Sequence, residues 1–204
     1  MTAISLLEHS RHTDHLRLRD GTTLTVRFVD ADEGEALQHY FRQLSIPSRH
    51  SRFLGAMSEL SASELGHFIH VGENDRFSVI AVMMIDGRET IVGEARYGFE
   101  AATAGFEFGI SIDDGWQRQG IASALLGNLE CRAAALGARR MFGDTLRSNE
   151  AMIALARKSG FAFTRHPDDW KLARFEKPID TIRQDIPCAS WKLAAEQRVA
   201  EMVA

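Results

Sequence analysis

A run of alternating residues near the middle of the chain places a carboxylate beside two small side chains. In the segment 106–112 every second residue is apolar, which predicts a β-strand with one buried face. Glu107 therefore shares the opposite face with Gly109 and Ser111. A carboxylate can serve as a general acid or base, and the small neighbours would leave room for a ligand. The alternative is a structural role, in which Glu107 forms an ion pair with a neighbour such as Arg96.

The segment after this strand predicts an anion-binding turn. Gly120 lies where a strand should pass into a helix, and a glycine there lets the backbone approach a ligand closely. The unpaired amides of the first helical turn and the helix dipole attract phosphate groups, and Arg118 adds a full positive charge. The segment has neither the GKS/T ending of a Walker loop nor the G-x-G-x-x-G dinucleotide pattern. The alternative is that Gly120 is an ordinary turn residue.

The flanking sequence predicts the elements that position these two features. Alternating runs joined at Asp-Gly pairs indicate antiparallel hairpins, and helix–strand alternation follows them. This order predicts an α/β (α+β) fold with a mixed, mainly antiparallel central sheet flanked by helices. A last helix from Ser190 is predicted to dock on its own domain, with a homodimer contact as the alternative. The predicted strands lie within 16–28 (two strands), 77–85, 90–99, 105–113, 139–145, 161–163 and 171–175, and the earlier helices lie at 31–45 (capped by Asp30), after Ser61 (with a capping box), at 121–136 and at 149–159.

Composition excludes several classes of function. The chain has 204 residues, which is about one domain with short extensions. Its 28 acidic and 24 basic residues give a net charge of −4, which argues against binding to nucleic acid or to an anionic membrane surface. The longest apolar run, 77–85, is too short to span a bilayer, and residues 1–20 are polar without the apolar h-region of a signal peptide. Cys131 and Cys188 form no CxxC pattern, so we expect neither a disulfide framework nor a metal site, and a cytoplasmic location.

Several motifs together resemble one enzyme family. The segment 117–122 is similar to the acetyl-CoA pyrophosphate motif, Q/R-x-x-G-x-G/A, of the GNAT superfamily of N-acyltransferases. The segments 149–152 and 159–161 resemble the later helix of that family and its closing Gly-Phe pair. Two further segments, 18–22 and 44–53, resemble the catalytic domain of bacterial protein lysine acetyltransferases. The motifs occur in the order of the family.

The resemblance implies a domain organisation and an activity. It covers residues 16–178, which would form a GNAT acyltransferase domain, with 1–15 and 179–204 as terminal extensions. It implies a GNAT-like fold and transfer of an acetyl group from acetyl-CoA to a primary amine by direct attack, with a protein lysine as acceptor. No metal takes part. The alternatives are a non-catalytic acyl-CoA-binding regulatory module and an acetyltransferase for small-molecule amines.

The family pattern also implies roles for single residues. Glu107 stands where the lysine acetyltransferases carry a general base. Because a lysine amine has a pKa of about 10.4 and a glutamate about 4.3, proton transfer needs either burial of the carboxylate or a water relay. Asn149 matches a family Asn close to the thioester and can also cap its helix. The residues implied to bind acetyl-CoA are Ile110, Ser111 and Ile112 through their backbone, Gln117, Arg118, Gln119, Gly120, Ile121, Ala122 and Ser123 around the pyrophosphate, and Asn149.

Two positions depart from the family pattern. In the run 155–161, Ala156 stands where many members carry the Tyr that protonates the leaving thiolate. The thiolate must then leave unassisted, which its pKa of about 8.5 allows, or take a proton from another group. Leu54 stands where the related group usually has a second Phe. Elsewhere, Glu94 and Arg96 are predicted to form an ion pair across one strand face.

Overall fold

A mixed sheet and five helices make up the described structure. It is a computed structural model that describes residues 13–71 and 76–179. The predicted last helix and Cys188 lie outside these residues, whereas Cys131 is buried. The strands are β1 (Asp14–Arg17), β2 (Thr23–Phe28), β3 (Arg76–Ile85), β4 (Arg88–Glu100), β5 (Gly105–Ile112), β6 (Arg140–Leu146), β7 (Ala162–Arg165) and β8 (Leu172–Pro178), and the helices are α1 (Gly34–Gln43), α2 (Ile46–Phe53), α3 (Ala62–Ile69), α4 (Ile121–Ala135) and α5 (Glu150–Lys158).

The eight strands follow the order β1-β2-β3-β4-β5-β6-β8-β7 across the sheet. Every neighbouring pair is antiparallel except β5 and β6, which run parallel. The predicted mixed and mainly antiparallel sheet is confirmed. Among the described residues, no helix has both the length and the apolar character needed to cross a membrane.

The parallel pair β5 and β6 is joined over a short length only. Gly105–Glu107 pair with Arg140–Phe142, whereas β5 continues to Ile112 and β6 to Leu146. Both strands keep their antiparallel partners, β4 and β8, along these outer parts. The edge of β5 that faces β6 therefore has backbone groups that can bond to another molecule where the two strands separate.

Side-chain alternation divides the core between the two faces of the sheet. On one face, Phe106 and Phe108 of β5 pack in a cluster with Leu125 and Leu129 of α4. On the other face, α1 and α3 cover the sheet, and Phe41 and Phe68 pack there in an edge-to-face contact with ring centroids 5.3 Å apart. The predicted apolar stripe of β5 is thus confirmed, and its opposite face looks toward α1–α3.

Two helix predictions need correction. The first helix begins at Gly34, not after Asp30, because Arg27 and the Asp30 N–H hold the Glu33 carboxylate and keep the chain in a turn until that point. Helix α2 was not predicted. Its start is nevertheless encoded locally, since Ser45 accepts a hydrogen bond from the Ser48 N–H and a proline stands in the first turn. The predicted capping box of α3 is confirmed.

Asp114 ties α2 to the turn that leads into α4. Its carboxylate accepts hydrogen bonds from the Ser45 N–H at 2.8 Å, the Ser45 hydroxyl at 2.8 Å and the Ser48 hydroxyl at 2.7 Å. Partial burial acts to raise the pKa of Asp114, but these hydrogen bonds outweigh it and hold the pKa below its ordinary value of 3.8.

A carboxyl whose pKa is lowered by folding stabilises the fold above its unfolded pKa, and that contribution is lost as the pH falls through the folded pKa. We therefore expect Asp114→Asn to have a lower urea midpoint than the unmodified protein at pH 7, and the difference to shrink below pH 3.8. Asp32→Asn, at an exposed position before α1, is the control and should show no such pH-dependent loss. An equal difference for Asp114→Asn at pH 7 and at pH 3 would contradict this account.

Candidate active site

The candidate active site lies on the sheet face that α1–α3 cover. Strand register aligns Arg76, Gly98 and Glu107 in one row across β3, β4 and β5, with Arg96 and Gly109 in the next row. A cavity of about 480 Å³ opens above these rows. Its lining includes Arg52, Phe68, Arg76, Arg96, Glu107 and Asp144.

Glu107 stands where β5 separates from β6, at the last paired position of the two strands. Its side chain is 49% exposed, and one carboxylate oxygen accepts a hydrogen bond from Arg76 Nη1 at 3.2 Å. Arg76 reaches it across Gly98, where an added Cβ would lie 2.7 Å from the same nitrogen. The alternative of an ion pair is thus realised with Arg76 and not with Arg96. Because half of its side chain is exposed, the carboxylate remains accessible to water and substrate, and such an exposed pair contributes little to stability.

A buried ion pair lies one row further along the strands. Arg52 of α2 donates to both oxygens of Glu94, with Nε and Nη2 each 2.9 Å away, and the Glu94 side chain is fully buried. The Ser111 hydroxyl donates to the same carboxylate at 3.2 Å and contacts the Tyr40 hydroxyl at 3.0 Å. The predicted pair between Glu94 and Arg96 is therefore wrong. The partner comes from α2, a helix that the sequence did not reveal.

Arg52 also fills the space that the small residues of β5 leave. A Cβ at Gly109 would lie 2.7 Å from Arg52 Nη1, so a larger residue there would force the guanidinium to shift from its present place beside Glu94. Arg52 lies beside Gly109, which still lines the cavity, whereas Ser111 is buried against Glu94 and Tyr40 and leaves no space for a ligand. Burial raises the pKa of the Tyr40 hydroxyl well above its ordinary value, so this group stays protonated.

The predicted anion-binding turn has the expected backbone. Gly120 caps α4 with φ of +91°, and the first helical hydrogen bond runs from the Ala124 N–H to the Gly120 carbonyl at 3.0 Å. The amides of residues 121–123 precede that bond and have no partner within the helix. The side chain of Arg118 is exposed beside them, and a Cβ at Gly120 would meet nothing within 4 Å. Glycine leaves this helix start open to an anion.

The other predicted ligand-binding residues take several positions around this turn. Gln117 donates to the Ile112 carbonyl and Gln119 to the Gly115 carbonyl, so both amide side chains shape the loop. Ile112 and Ile121 are buried, and their side chains face the core. The part of β5 beyond its pairing with β6 contains Ile110, Ser111 and Ile112. For these three residues the expected contact with a ligand is through the backbone and not through the side chains.

Asn149 and Ala156 lie on the element that follows β6. Asn149 Oδ1 accepts a hydrogen bond from the Met152 N–H at 3.1 Å, which confirms its role as helix cap. Ala156 is completely buried in the core, so position 156 does not face the cavity. The two tyrosines of the chain, Tyr40 and Tyr97, are buried as well. Neither tyrosine therefore offers an exposed phenol that could take over the role of the family tyrosine that Ala156 replaces.

Sequence reasoning missed two arginines of the site, and for each a signal existed. Arg52 belongs to the segment 44–53, whose resemblance to lysine acetyltransferases was noted without a role for this residue. Arg76 begins a strand whose neighbour carries a glycine at the paired position, but strand register is needed to see this. No group of three or more His, Cys, Asp or Glu residues in the described ranges could hold a metal ion.

Comparison with known proteins identifies the enzyme family to which this fold belongs. The model of the Acetyltransferase (GNAT) family matches residues 35–161, more than half of the chain. The chain therefore belongs to the GNAT acetyltransferase family. It is an acyl-CoA-dependent N-acetyltransferase, with acetyl-CoA as cosubstrate and an amine as acceptor.

Individual relatives agree with this assignment. Acetyltransferase PA5475 of Pseudomonas aeruginosa is 29% identical over 152 residues, which cover 74% of this chain and 82% of that protein. The crystal structure of the GNAT domain of S. lividans PAT is 29% identical, has a TM-score of 0.72 and covers 81% of this chain and 96% of that domain. The protein yncA of Salmonella typhimurium, solved with its cofactor acetyl-CoA, shares the fold at 17% identity and a TM-score of 0.60, with 81% of this chain and 98% of yncA covered.

Removing one partner of the buried pair should strongly destabilise the protein. We expect Arg52→Met to lower the free energy of unfolding by about 3–5 kcal/mol, because it leaves the Glu94 carboxylate buried without its cation. The double variant Arg52→Met/Glu94→Met should recover most of that loss, since an apolar pair of similar size is often neutral. Denaturant titration measures both.

The matched control is Arg42→Met, whose partner Glu59 is about as exposed as Arg42 itself. Loss of this surface pair should cost at most about 1 kcal/mol. Equal losses for Arg52→Met and Arg42→Met would show that burial does not give the pair its importance.

Proposed function

We propose that this enzyme acetylates the ε-amine of lysine residues in proteins and that Glu107 removes the amine proton through a water molecule. The observation that carries the proposal is the position of Glu107. It is a half-exposed carboxylate in the cavity, at the point where β5 and β6 separate. Asp144, the nearby carboxylate of β6, is held instead by two hydrogen bonds from Arg174 at 2.9 Å and 2.8 Å.

The described residues fit acetyl-CoA. The partnerless amides of Ile121, Ala122 and Ser123, with the Arg118 side chain beside them, suit a pyrophosphate. The separated edge of β5 at Ile110–Ile112 suits the amide groups of pantetheine. When bound, acetyl-CoA supplies an activated acyl group. Asn149, whose side-chain oxygen is engaged by the Met152 N–H, retains its amide N–H groups for the thioester end.

The amine must lose a proton before or during attack, and the exposure of Glu107 favours a relay. A lysine amine holds its proton with a pKa of about 10.4, far above that of an ordinary glutamate, so direct transfer is uphill. Only the neutral amine attacks, and its nitrogen becomes far more acidic as the N–C bond forms, so that a water molecule at the half-exposed carboxylate can then carry the proton to Glu107. Arg76 holds the carboxylate in place meanwhile. Holding the amine near the acyl group supplies much of the rate.

The leaving thiolate needs no phenol in this account. Position 156 is an alanine inside the core, and both tyrosines are buried. A thiolate with a pKa of about 8.5 is a good enough leaving group to depart without protonation. Proton transfer from the amine to Glu107 is then the step for which the protein supplies a reacting side chain.

The acceptor cavity supports a protein lysine as the amine. Helix α2 and the residue after it contribute Arg52, Phe53 and Leu54 to its lining, and this helix lies in the segment that resembles bacterial protein lysine acetyltransferases. We further propose that residues 16–178 form the catalytic domain, with 1–15 and 179–204 as extensions, and that the enzyme works in the cytoplasm. A small-molecule amine is the alternative acceptor.

The role of Glu107 predicts a pH-dependent defect. We expect Glu107→Gln to lower kcat by about 10²-fold or more at pH 7. The deficit should shrink toward pH 9, because more of the lysine is already deprotonated there. Release of thiol from acetyl-CoA measures the rate. Glu100→Gln, at the end of β4 in the same hairpin, is the matched control, and unchanged turnover of Glu107→Gln from pH 7 to pH 9 would remove Glu107 from the mechanism.

The helix start predicts a defect in cosubstrate binding. Gly120→Ala places a Cβ in the open space next to the first-turn amides, so we expect KM for acetyl-CoA to rise about tenfold, or about 1.4 kcal/mol. Gly21→Ala is matched in backbone strain, with φ of +88° against +91°, but lies in the turn between β1 and β2.

Both glycine variants should lose about 1–2 kcal/mol of stability from the left-handed backbone. Only Gly120→Ala should change KM for acetyl-CoA. A similar KM in the two variants would show that the α4 start does not bind the pyrophosphate.

A further inference from the structure

We infer that the amine acceptor carries a carboxylate close to its amine and that Arg96 binds that carboxylate. The inference rests on the proposed function, because it assumes that the amine is presented to Glu107 in this cavity. It adds a chemical requirement on the acceptor. Arg96 is thereby a specificity-determining residue.

The first observation is that Arg96 has no anionic partner. The two other arginines of the cavity lining are each paired, Arg52 with Glu94 and Arg76 with Glu107. In the described part of the chain, no carboxylate lies within ion-pair distance of Arg96, and its buried Nε atom has no hydrogen-bond partner. A buried donor left without a partner destabilises the protein, so the site gains when a ligand supplies an acceptor.

The second observation is the way in which Arg96 is held. Its guanidinium lies over the ring of Phe68, 5.1 Å from the centroid, and that contact positions it without consuming a hydrogen-bond donor. Burial, together with repulsion from Arg76 and Arg52, lowers the pKa of Arg96, while Glu94 and Glu107 act against this. An additional negative charge would relieve the repulsion. Of the other carboxylates that line the cavity, Glu64 is committed to the capping box of α3 and Asp144 is bonded by Arg174.

The third observation is the distance to the reacting group. Arg96 on β4 and Glu107 on β5 lie on one face as diagonal neighbours, because Arg96 pairs with Gly109, two residues beyond Glu107. Such neighbours are about 7–8 Å apart. An acceptor that presents its amine to Glu107 therefore brings adjacent groups over Arg96.

A carboxylate is the group that one planar guanidinium recognises best, through two parallel hydrogen bonds. It has two sources in this cavity. One is an Asp or Glu side chain next to the target lysine in a protein. The other is the α-carboxylate of a free amino acid, and the two sources are distinguished by experiment.

The experiment measures thiol release from acetyl-CoA with matched acceptors. Two blocked peptides contain one lysine each and differ only in a Glu or a Gln beside it. Nα-acetyl-lysine and its amide form the second pair. We expect the unmodified enzyme to favour the Glu peptide at least tenfold in kcat/KM. Arg96→Gln should abolish this preference, and Arg96→Lys should retain part of it.

Two controls separate recognition from folding. Arg88→Gln, at the exposed start of β4, should keep the full preference. Arg96→Gln should keep the KM for acetyl-CoA and should shift the unfolding midpoint only slightly, because it removes the contact with the Phe68 ring but also the repulsion from Arg76 and Arg52. A preference that persists in Arg96→Gln overturns the inference.

The acceptor pairs also separate this inference from the proposed function. If only Nα-acetyl-lysine with its free carboxylate is used, the inference stands and the proposal of a protein lysine fails. If the Glu and Gln peptides react equally well, the proposal stands and the inference fails. If no acceptor releases thiol, both fail.

Discussion

The ion pair between Arg52 and Glu94 is the interaction on which the site depends. A fully buried carboxylate must have its cation, and that cation comes from a helix outside the sheet. The pair therefore fastens α2 to the middle of β4 and sets the height of the cavity wall above the strands. Two residues of β5 accommodate this pair. Gly109 leaves room for the guanidinium of Arg52, and the Ser111 hydroxyl donates a further hydrogen bond to the Glu94 carboxylate. With that wall in place, Glu107 and Arg96 are left facing the open space.

The site thus uses its arginines in three different ways. Arg52 is structural and buried, whereas Arg76 orients a carboxylate that remains half-exposed. Arg96 is held by an aromatic ring and keeps its donors. Arginine suits all three tasks because its charge persists on burial and its planar group can stack and donate at once. A lysine would serve only the second of these tasks well.

Local sequence signals predicted most of the fold. Asp-Gly turns located the hairpins, alternation identified the buried face of β5, and the Ser61 capping box located α3. These features depend on neighbours in the chain, so their signals are local. Helix α2 was missed because it is only eight residues long and mostly polar, and none of its side chains is fully buried. The partners of Glu94 and Glu107 were mistaken for a related reason, since Arg52 is 42 positions from Glu94 and Arg76 is 31 positions from Glu107. Such pairings follow from strand register and helix docking, which no local pattern contains.

The short contact between β5 and β6 has a consequence for cooperativity. Strands β1–β5 are continuously antiparallel, and so are β6–β8, while three residue pairs connect the two sets. The sheet thus contains two regions whose backbone hydrogen bonds, among the described strands, meet only at this seam, while Phe108 of β5 and Phe175 of β8 also pack together in the core. A molecule bound in the gap would touch both regions, so its binding free energy would hold them together. If acetyl-CoA binds in this gap, as proposed, its occupancy becomes a determinant of how the whole domain unfolds, in addition to being a condition for catalysis.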